Sequence, residues 1–399
     1  MSKKFSTPIL LIICTLFITS AFLPASLGYL NNPSDEFLMQ QWGWLHIYTD
    51  VAYSNNYRGN PSTLVAVIDT GIDLDHPDLQ ANIYTNPSEI PGDGLDNDLN
   101  GYIDDIHGWN FVSDTNNTDD NDGHGTHVSG IIAAINNAIG ICGIAPNVKI
   151  LPIKVIEIDS GDLALLTKAI NYAVAMGADI ISMSIGTDSP GSDEIPIDLA
   201  ISTAYLAGVV LVAAAGNDGT TTVSYPARNS LVIAVAATTS SDQHASYSNT
   251  GTAVDIAAPG GDSSRAIIST YINGSYRSMA GTSMACPHVS GAIALMLQWN
   301  STLIHRPADV RARLIETAID LGTPGVDNEF GAGLVNIAGI LNLPMEHVYN
   351  PTLDWIIRNI WWIGLIGVVV ILLVIYAALK KKPQGSSEPS FTALSSGNF

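Results

Sequence analysis

The sequence predicts a three-layer α/β fold in which a doubly wound, mostly parallel sheet carries helices on both faces. From about residue 33 to residue 340, short apolar runs rich in β-branched residues alternate with amphipathic runs. Gly, Asn or Asp bounds these runs, and the region contains no internal repeat and no long linker. Repeated strand and helix units of this kind form parallel sheets, and active sites form at the carboxyl ends of their strands.

Four segments are predicted to be buried strands because they are short, apolar and β-branched. They cover residues 62–69, 180–185, 209–215 and 231–237. Apolar residues at helical spacing predict helices over residues 162–176 and 198–207. Gly177 and Gly208 directly follow these helices, and glycine is the residue most suited to end a helix.

The composition of the 399-residue chain, with 47% hydrophobic residues, supplies enough apolar material for one large core and a membrane segment. Its 37 acidic and 16 basic residues give a formal net charge of −21 at pH 7. Such a charge opposes binding to phosphate backbones, so we expect no nucleic-acid partner. We expect the protein to be a monomer.

Three cysteines are too few for a disulfide framework. Cys14 lies in a segment that we expect to be removed. Cys142 and Cys286 are interpreted as buried thiols that act as small apolar side chains. A bridge between these two residues stays open as the alternative.

Both ends of the chain carry membrane signals. The N-terminal segment combines two lysines, an apolar stretch and small residues, which is typical of a secretory signal peptide; an uncleaved anchor is the alternative. Residues 360–379 form an uncharged apolar run, flanked by tryptophans and then by three lysines, which indicates a transmembrane helix rather than a buried core helix. The predicted segments are a signal peptide (1–28), an extracytoplasmic domain (29–340), a stalk (341–354), a transmembrane helix (355–379) and a cytoplasmic tail (380–399).

Three motifs carry the residues of a nucleophilic serine site. Asp69 ends an apolar strand in VIDTGID, where its carboxylate can accept a hydrogen bond from a histidine ring. His124 in DGHGTHVSG and Ser283 in GTSMACPHVSG each lie at a glycine-flanked turn that opens an apolar helix. Serine chemistry needs a hydroxyl, a base that takes its proton, and an acid that fixes the tautomer of the base. Asn217 in AAAGN can offer an amide to the oxyanion, with the Ser283 backbone N–H as the second donor.

Three neighbouring residues are assigned to packing rather than chemistry. His127 has no partner at a metal-binding spacing, and His288 lies in the helix that follows Ser283. Cys286 lies in the same helix, and a thiol nucleophile there would lack a matching base.

The four motifs, in the order Asp, His, Asn, Ser, resemble those of the subtilisin family of serine proteases over about residues 33–340. The resemblance implies a catalytic triad of Asp69, His124 and Ser283, with Asn217 as the oxyanion donor. It also implies that SMSIG pairs with an extended substrate backbone, and that residues 213–216 form one wall of the pocket for the residue before the scissile bond. The substrate-binding residues implied are Ser182, Ser184, Ile185, Gly186, Ala214, Ala215 and Gly216.

An acidic insertion at about residues 86–122 is predicted to hold a structural calcium ion. Residues 73–122 include thirteen Asp or Glu and no Lys or Arg, so their repulsion requires a cation or extensive solvation. In DNDLNGYIDD, the alternating Asp96, Asp98 and Asn100 precede a glycine, as in the first half of an EF-hand loop. A solvated acidic loop without an ion is the alternative.

The predicted calcium site departs from an EF-hand at its close. Asp104 follows the glycine, but His107 stands where an EF-hand has its bidentate Glu, so Asp105, Asp93 or a water is expected to complete the site. Calcium loops are common in subtilisin-like enzymes, and Asp78 in HPDL matches a position that is often a calcium ligand there.

The leading hypothesis is an endopeptidase that cleaves extracytoplasmic proteins through an acyl-enzyme on Ser283. A catalytically silent binding scaffold would show erosion of a motif, and all four motifs are intact. Transfer of the acyl group to an amine, as in a peptide ligase or cyclase, stays open. The small apolar pocket wall favours a large or apolar substrate side chain.

QQWGW at residues 40–44 resembles the start of a mature domain, so we expect folding without a propeptide, aided in trans, by calcium or by tethering.

Overall fold

A seven-stranded parallel sheet lies at the centre of the computed structural model, which describes residues 33–157 and 160–347. The strands in chain order are β1 (Leu64–Asp69), β2 (Trp109–Asn110), β3 (Lys149–Lys154), β4 (Ile156–Glu157), β5 (Ser160–Gly161), β6 (Ile180–Met183), β7 (Val210–Ala214), β8 (Ile233–Thr238), β9 (Ile256–Pro259), β10 (Ile267–Tyr271) and β11 (Ser275–Met279). The central sheet has the order β2-β3-β1-β6-β7-β8-β9, and all its neighbours pair in parallel. The pairs β4-β5 and β10-β11 form separate antiparallel hairpins.

Helices connect the strands, as the alternating sequence pattern predicts. They are α1 (Trp42–His46), α2 (Thr49–Ser54), α3 (His124–Ala133), α4 (Ala164–Ala175), α5 (Glu194–Leu206), α6 (Thr282–Trp299), α7 (Pro307–Thr317) and α8 (Ile337–Ile340). Short 3₁₀ turns cover Leu38–Gln40, Gln80–Asn82, Gly191–Asp193 and Ser301–Leu303.

The sheet separates two apolar cores. Along β1, Val65 and Val67 enter one core, whereas Leu64, Ala66 and Ile68 enter the other, because successive side chains of a strand point to opposite faces. Helices α3 and α6 contact each other on the first face, and α4 and α5 contact each other on the second. The predicted three-layer α/β class is therefore confirmed for the described residues.

The predicted helices and strands are present, with shifted ends. Helix α4 ends before Gly177 and α5 before Gly208, and both glycines adopt positive φ angles of 77° and 90°. Helix α5 begins at Glu194, ahead of the predicted residue 198. Pro196 lies in its first turn, where a missing backbone N–H costs no intrahelical hydrogen bond, so the proline does not prevent the earlier start.

Cys142 and Cys286 are both buried and are not bonded to each other, which confirms the interpretation as free thiols. The described residues include no helix that is both long enough and apolar enough to span a bilayer. The predicted signal peptide (1–28), transmembrane helix (355–379) and tail (380–399) lie outside the described residues, as do residues 348–354 of the predicted stalk.

Candidate active site

Asp69 ends β1 and His124 begins α3, and their side chains meet. His124 Nδ1 lies 2.7 Å from Asp69 Oδ1, which also accepts the N–H of Thr70 at 2.8 Å. Asp69 is completely buried, and its Oδ2 has no hydrogen-bond partner among the described residues. A carboxylate at this position favours the imidazole tautomer with its proton on Nδ1, so that Nε2 can accept a proton.

The acidic segment that precedes α3 holds the helix start in place. Asp122 Oδ1 accepts the N–H of His124 at 3.1 Å. Asp120 accepts the N–H groups of Gly123 and Thr126, each at 3.0 Å. Because first-turn N–H groups have no intrahelical partner and attract negative charge, these carboxylates stabilise the helix end that presents the imidazole.

The same carboxylates set the proton affinity of His124. Burial lowers the pKa of the imidazole, but the charges of Asp69, Asp122 and Asp120 raise it, and the net shift is upward from 6.5. The side chain keeps 22% of its surface exposed. His124 therefore combines a fixed orientation with an accessible ring and an increased basicity.

Ser283 lies in the first turn of α6 and is 9% exposed. Its Oγ donates to the carbonyl oxygen of Ser184 at 3.2 Å, and Ser184 Oγ donates to the carbonyl oxygen of Ser283 at 2.9 Å. The hydroxyl thus lies at the positive end of the helix dipole, beside the segment that continues from the end of β6.

Asn217 is fixed with its amide nitrogen near the start of α6. Its Oδ1 accepts both the N–H and the hydroxyl of Thr282, each at 2.8 Å. A Cβ atom added to Gly281 would lie 3.5 Å from Asn217 Nδ2 and 3.7 Å from the Ser283 nitrogen. Both donors therefore border the same space, and the glycine keeps that space open.

A cleft of about 500 Å³ opens beside His124. Its lining contains both apolar side chains and carboxylates. Its lining residues are Thr70, Asp122, His124, Val155, Ile156, Asp162, Leu163, Leu166, Ser184, Ile185, Gly186, Thr187, Ser189, Pro190, Asp193 and Pro226. An extended peptide backbone would have room along the segment 184–186.

The substrate-binding residues implied by the resemblance occupy three kinds of position, and one of them does not reach the cleft. Ser184, Ile185 and Gly186 line the cleft. Ala214 and Ala215 are buried at the end of β7, and the following Gly216 donates its N–H to Thr282 Oγ1 at 3.3 Å. Ser182 does not reach the cleft, because α6 covers this part of β6: its side chain is fully buried and accepts a hydrogen bond from Ser290 Oγ at 2.9 Å.

His127, His288 and Cys286 occupy packed positions, as expected. His127 Nε2 lies 3.1 Å and 3.0 Å from two backbone carbonyls of the β10-β11 hairpin, and burial lowers the pKa of its ring to about 3. His288 bonds the carbonyl oxygen one turn earlier, and burial lowers its pKa to about 4. Burial raises the pKa of the Cys286 thiol to about 11, so it carries no thiolate at neutral pH.

The acidic loop brings together two predicted cation ligands and one that the sequence reasoning missed. Oxygen atoms of Glu89, Asp96 and Asp98 lie within 4.8 Å of one another. Glu89 is 6% exposed; its Oε1 accepts two backbone N–H groups of the loop, whereas its Oε2 is buried without a hydrogen-bond partner among the described residues. Three clustered carboxylates, one of which has an unsatisfied oxygen, fit a hard cation such as calcium.

The other predicted metal ligands have different roles in the structure. Both oxygens of Asp104 accept backbone N–H groups, from Gly92 at 2.8 Å and from Gly94 at 3.0 Å. The Asn100 amide donates to Asp98 Oδ2 at 3.1 Å and to Asp105 Oδ2 at 2.9 Å. These contacts shape the loop around the three-carboxylate group.

Asp78 lies at a separate place. It is fully buried; its Oδ2 accepts the N–H of Ile141 and the hydroxyl of Tyr276, each at 3.0 Å, and its Oδ1 has no hydrogen-bond partner among the described residues. Burial raises the pKa of this carboxyl to about 6. Asp78 is therefore not part of the three-carboxylate group at the loop.

Comparisons with known proteins identify the family of this chain. The model of the Subtilase family matches residues 60–333. The chain is 39% identical over 296 residues to a thermostable alkaline protease of Halalkalibacterium halodurans, covering 74% of this chain and 72% of that one. It is 36% identical over 296 residues to Subtilisin BL of Lederbergia lenta, covering 74% and 96% of the two chains. Subtilisin E of Bacillus subtilis is 39% identical over 303 residues, covering 74% and 70%.

Proposed function

The chain belongs to the subtilase family of serine endopeptidases, and from this premise we propose that it hydrolyses peptide bonds through an acyl-enzyme on Ser283. The observation that carries the proposal is the 2.7 Å contact between His124 Nδ1 and Asp69 Oδ1, at the strand end beside the cleft. No described feature favours a silent scaffold or a ligase over hydrolysis.

His124 acts as the general base and then as the general acid. Its Nε2 takes the proton of Ser283 Oγ as this oxygen attacks the substrate carbonyl carbon, and it later gives the proton to the leaving amine. Asp69 holds the ring in the productive tautomer and stabilises the imidazolium. A water then attacks the acyl-enzyme by the same route, which releases the second product and restores the hydroxyl of Ser283.

Asn217 Nδ2 and the backbone N–H of Ser283 stabilise the negative charge that develops on the carbonyl oxygen. The contacts of Asn217 Oδ1 with Thr282 support this role, because they fix the amide before the substrate arrives. Preorganised donors of this kind need no rearrangement at the moment of reaction.

A serine-directed sulfonyl fluoride tests the assignment directly. It should label Ser283 and no other residue, and the labelled protein should lose all peptidase activity. Ser283→Ala should abolish both labelling and cleavage, whereas Ser62→Ala, at an exposed loop position, should retain both. Cleavage by the Ser283→Ala variant would show that another group is the nucleophile.

We also propose a structural calcium ion at Glu89, Asp96 and Asp98. The buried, unsatisfied Oε2 of Glu89 supports this position. We propose a second ion at Asp78 on a single observation, since Oδ1 of that buried carboxylate also lacks a partner among the described residues. Calcium titration of the chelated protein by calorimetry tests both, with Glu89→Gln and Asp78→Asn each expected to remove one site.

We further propose that the catalytic domain works outside the cytoplasm, with residues 355–379 as its membrane anchor. The proposal rests on the sequence of residues 1–28 and 355–382. Extraction of the full-length protein from membranes by detergent, but not by alkaline carbonate, is the expected result. Release by carbonate would contradict the anchor.

A further inference from the structure

Residues 223–225 connect the two walls between which a substrate side chain would enter. Ser224 donates its N–H to the carbonyl oxygen of Ala215 at 2.8 Å. Tyr225 exchanges two backbone hydrogen bonds with Thr187, both at 2.8 Å. This segment therefore bridges the wall that ends β7 and the wall that follows β6.

The two walls face each other across Ser224. A Cβ atom on Gly186 would lie 3.1 Å from Ser224 Cβ, and one on Gly216 would lie 2.2 Å from Ser224 Oγ. Ser224 itself is 3% exposed. It therefore forms the floor of the space between the walls.

Two carboxylates flank this floor. Ser224 Oγ donates to Asp188 Oδ1 at 3.0 Å and accepts from Asn249 Nδ2 at 3.2 Å. The same Asn249 nitrogen lies 3.4 Å from Asp218 Oδ2. Asp188 is exposed, so its carboxylate is available to a ligand, and the floor is anionic rather than apolar.

Carboxylates outnumber cations around the floor. Arg228 is the nearby cation, but its Nη1 donates to the backbone carbonyl of Asp188, and its Nη2 lies 3.9 Å from the Glu194 carboxylate. The lining of the adjoining cleft, which does not include Ser224 or Asp188, contains Asp162 and Asp193 and no Lys or Arg. A positive substrate side chain would therefore meet carboxylates both in the cleft and beside Ser224.

We infer that the pocket accepts a lysine or arginine side chain at the residue before the scissile bond, with Asp188 as the specificity-determining residue. The aliphatic stem of either side chain suits the small apolar wall at Ala214 and Ala215, and the cationic head suits the carboxylate beside Ser224. This inference rests on the proposed peptidase function. It replaces the expectation of an apolar substrate residue, because that expectation rested on the apolar wall alone and not on the acidic floor.

Peptides that differ only in the residue before the scissile bond test the inference. Lysine is compared with norleucine, which has a similar stem without the charge, and arginine with leucine. The wild-type enzyme should cleave the lysine peptide with a kcat/KM at least about tenfold above that of the norleucine peptide, as expected for one charge-assisted contact. Asp188→Asn should remove most of this ratio through a larger loss on the lysine peptide than on the norleucine peptide, and Asp188→Glu should keep the ratio.

The control is Asp309→Asn, which removes a carboxylate from an exposed ion pair on α7 and should leave the ratio unchanged. The inference would be overturned by the wild-type enzyme alone if it cleaved the norleucine peptide as fast as the lysine peptide and the leucine peptide as fast as the arginine peptide. An equal loss on all peptides in Asp188→Asn would also overturn it, since it would show a structural role. If the wild-type enzyme cleaves none of these peptides, the result would contradict the peptidase function instead.

Discussion

Ser184 and Ser283 exchange hydrogen bonds, each hydroxyl donating to the carbonyl oxygen of the other residue, at 2.9 Å and 3.2 Å. The first bond joins the end of β6 to the first turn of α6. The second holds the Ser283 hydroxyl on a carbonyl oxygen, so the proposed mechanism requires this hydroxyl to turn toward His124 before it attacks. Catalytic hydrogen bonds commonly tighten only when the substrate is bound.

Ser184→Ala should lower kcat about fivefold, because it removes one hydrogen bond worth about 1 kcal/mol from the support of the nucleophile. The Ser283 hydroxyl can still reach His124 in this variant, so labelling by a sulfonyl fluoride should persist at a lower rate. Steady-state kinetics on one peptide measure the effect. A Ser184→Ala enzyme with unchanged kcat would show that the exchange of hydrogen bonds is not part of catalysis.

Asn217→Ala should lower kcat by about 10²–10³ and leave KM nearly unchanged, because the amide interacts with charge that exists only in the transition state. Thr282→Val removes the hydroxyl that holds Asn217 Oδ1 but keeps the amide itself. Its loss in kcat should be smaller than that of Asn217→Ala. A larger loss in Thr282→Val would assign the main role to Thr282.

The acidic limb of the activity profile should report the environment of His124. Burial lowers its pKa and the nearby carboxylates raise it by a larger amount, and only the neutral ring accepts a proton from Ser283. Activity therefore falls as pH decreases through this raised pKa. Asp122→Asn keeps the acceptor for the His124 N–H but removes the charge, so the limb should move to lower pH.

Asp309→Asn provides the matched loss of one charge outside the cleft, and its pH profile should coincide with that of the wild type. The profile of kcat/KM against pH is the measurement. A shift of the Asp122→Asn limb to higher pH would contradict the assigned direction.

Chelation should lower the melting temperature, and calcium should restore it. An ion at 100 times its Kd stabilises the fold by about 2.7 kcal/mol. Glu89→Gln keeps the loop contacts of Oε1 but offers an amide where Oε2 would bind the ion, so its melting curve should respond less to calcium. Asp309→Asn, which removes one carboxylate from an ion pair at the start of α7, should keep the full response.

Local motifs predicted element ends better than they predicted the whole sheet. Asp69 lies at a strand end, and His124 and Ser283 lie at helix starts, as their motifs predicted. Strand β3 was not predicted, because Pro152 and lysines at both ends interrupt its apolar pattern. Lys154 is nevertheless 2% exposed, since its Nζ donates to the carbonyl oxygen of Asp119 at 3.1 Å in the acidic insertion.

Local sequence patterns do not predict contacts between segments that are distant in the chain. Glu89 precedes the alternating acidic motif, and only the folded loop turns its carboxylate toward Asp96 and Asp98. Asp188 is four residues from Ser184, but its contact with Ser224 depends on the path of the chain after β7. The wall of the pocket could be inferred from a motif, whereas its floor could not.

Gly216→Ala should destabilise the fold and disturb the pocket at once. Gly216 has a φ of 105°, and a Cβ there would lie 2.2 Å from both Ser224 Oγ and Asn249 Nδ2. Gly177→Ala is the matched control, because its φ is 77° but a Cβ would meet nothing within 4 Å. The control should lose only about 1–2 kcal/mol for the left-handed backbone, and it should retain its kcat/KM. Gly216→Ala should lose more stability and also most of its activity toward lysine peptides. The added Cβ would displace Ser224, which forms the floor, and Asn249, which donates a hydrogen bond to it. Chemical denaturation and peptide kinetics measure the two effects, and equal losses in both variants would show that backbone strain, not packing against the floor, requires the glycine.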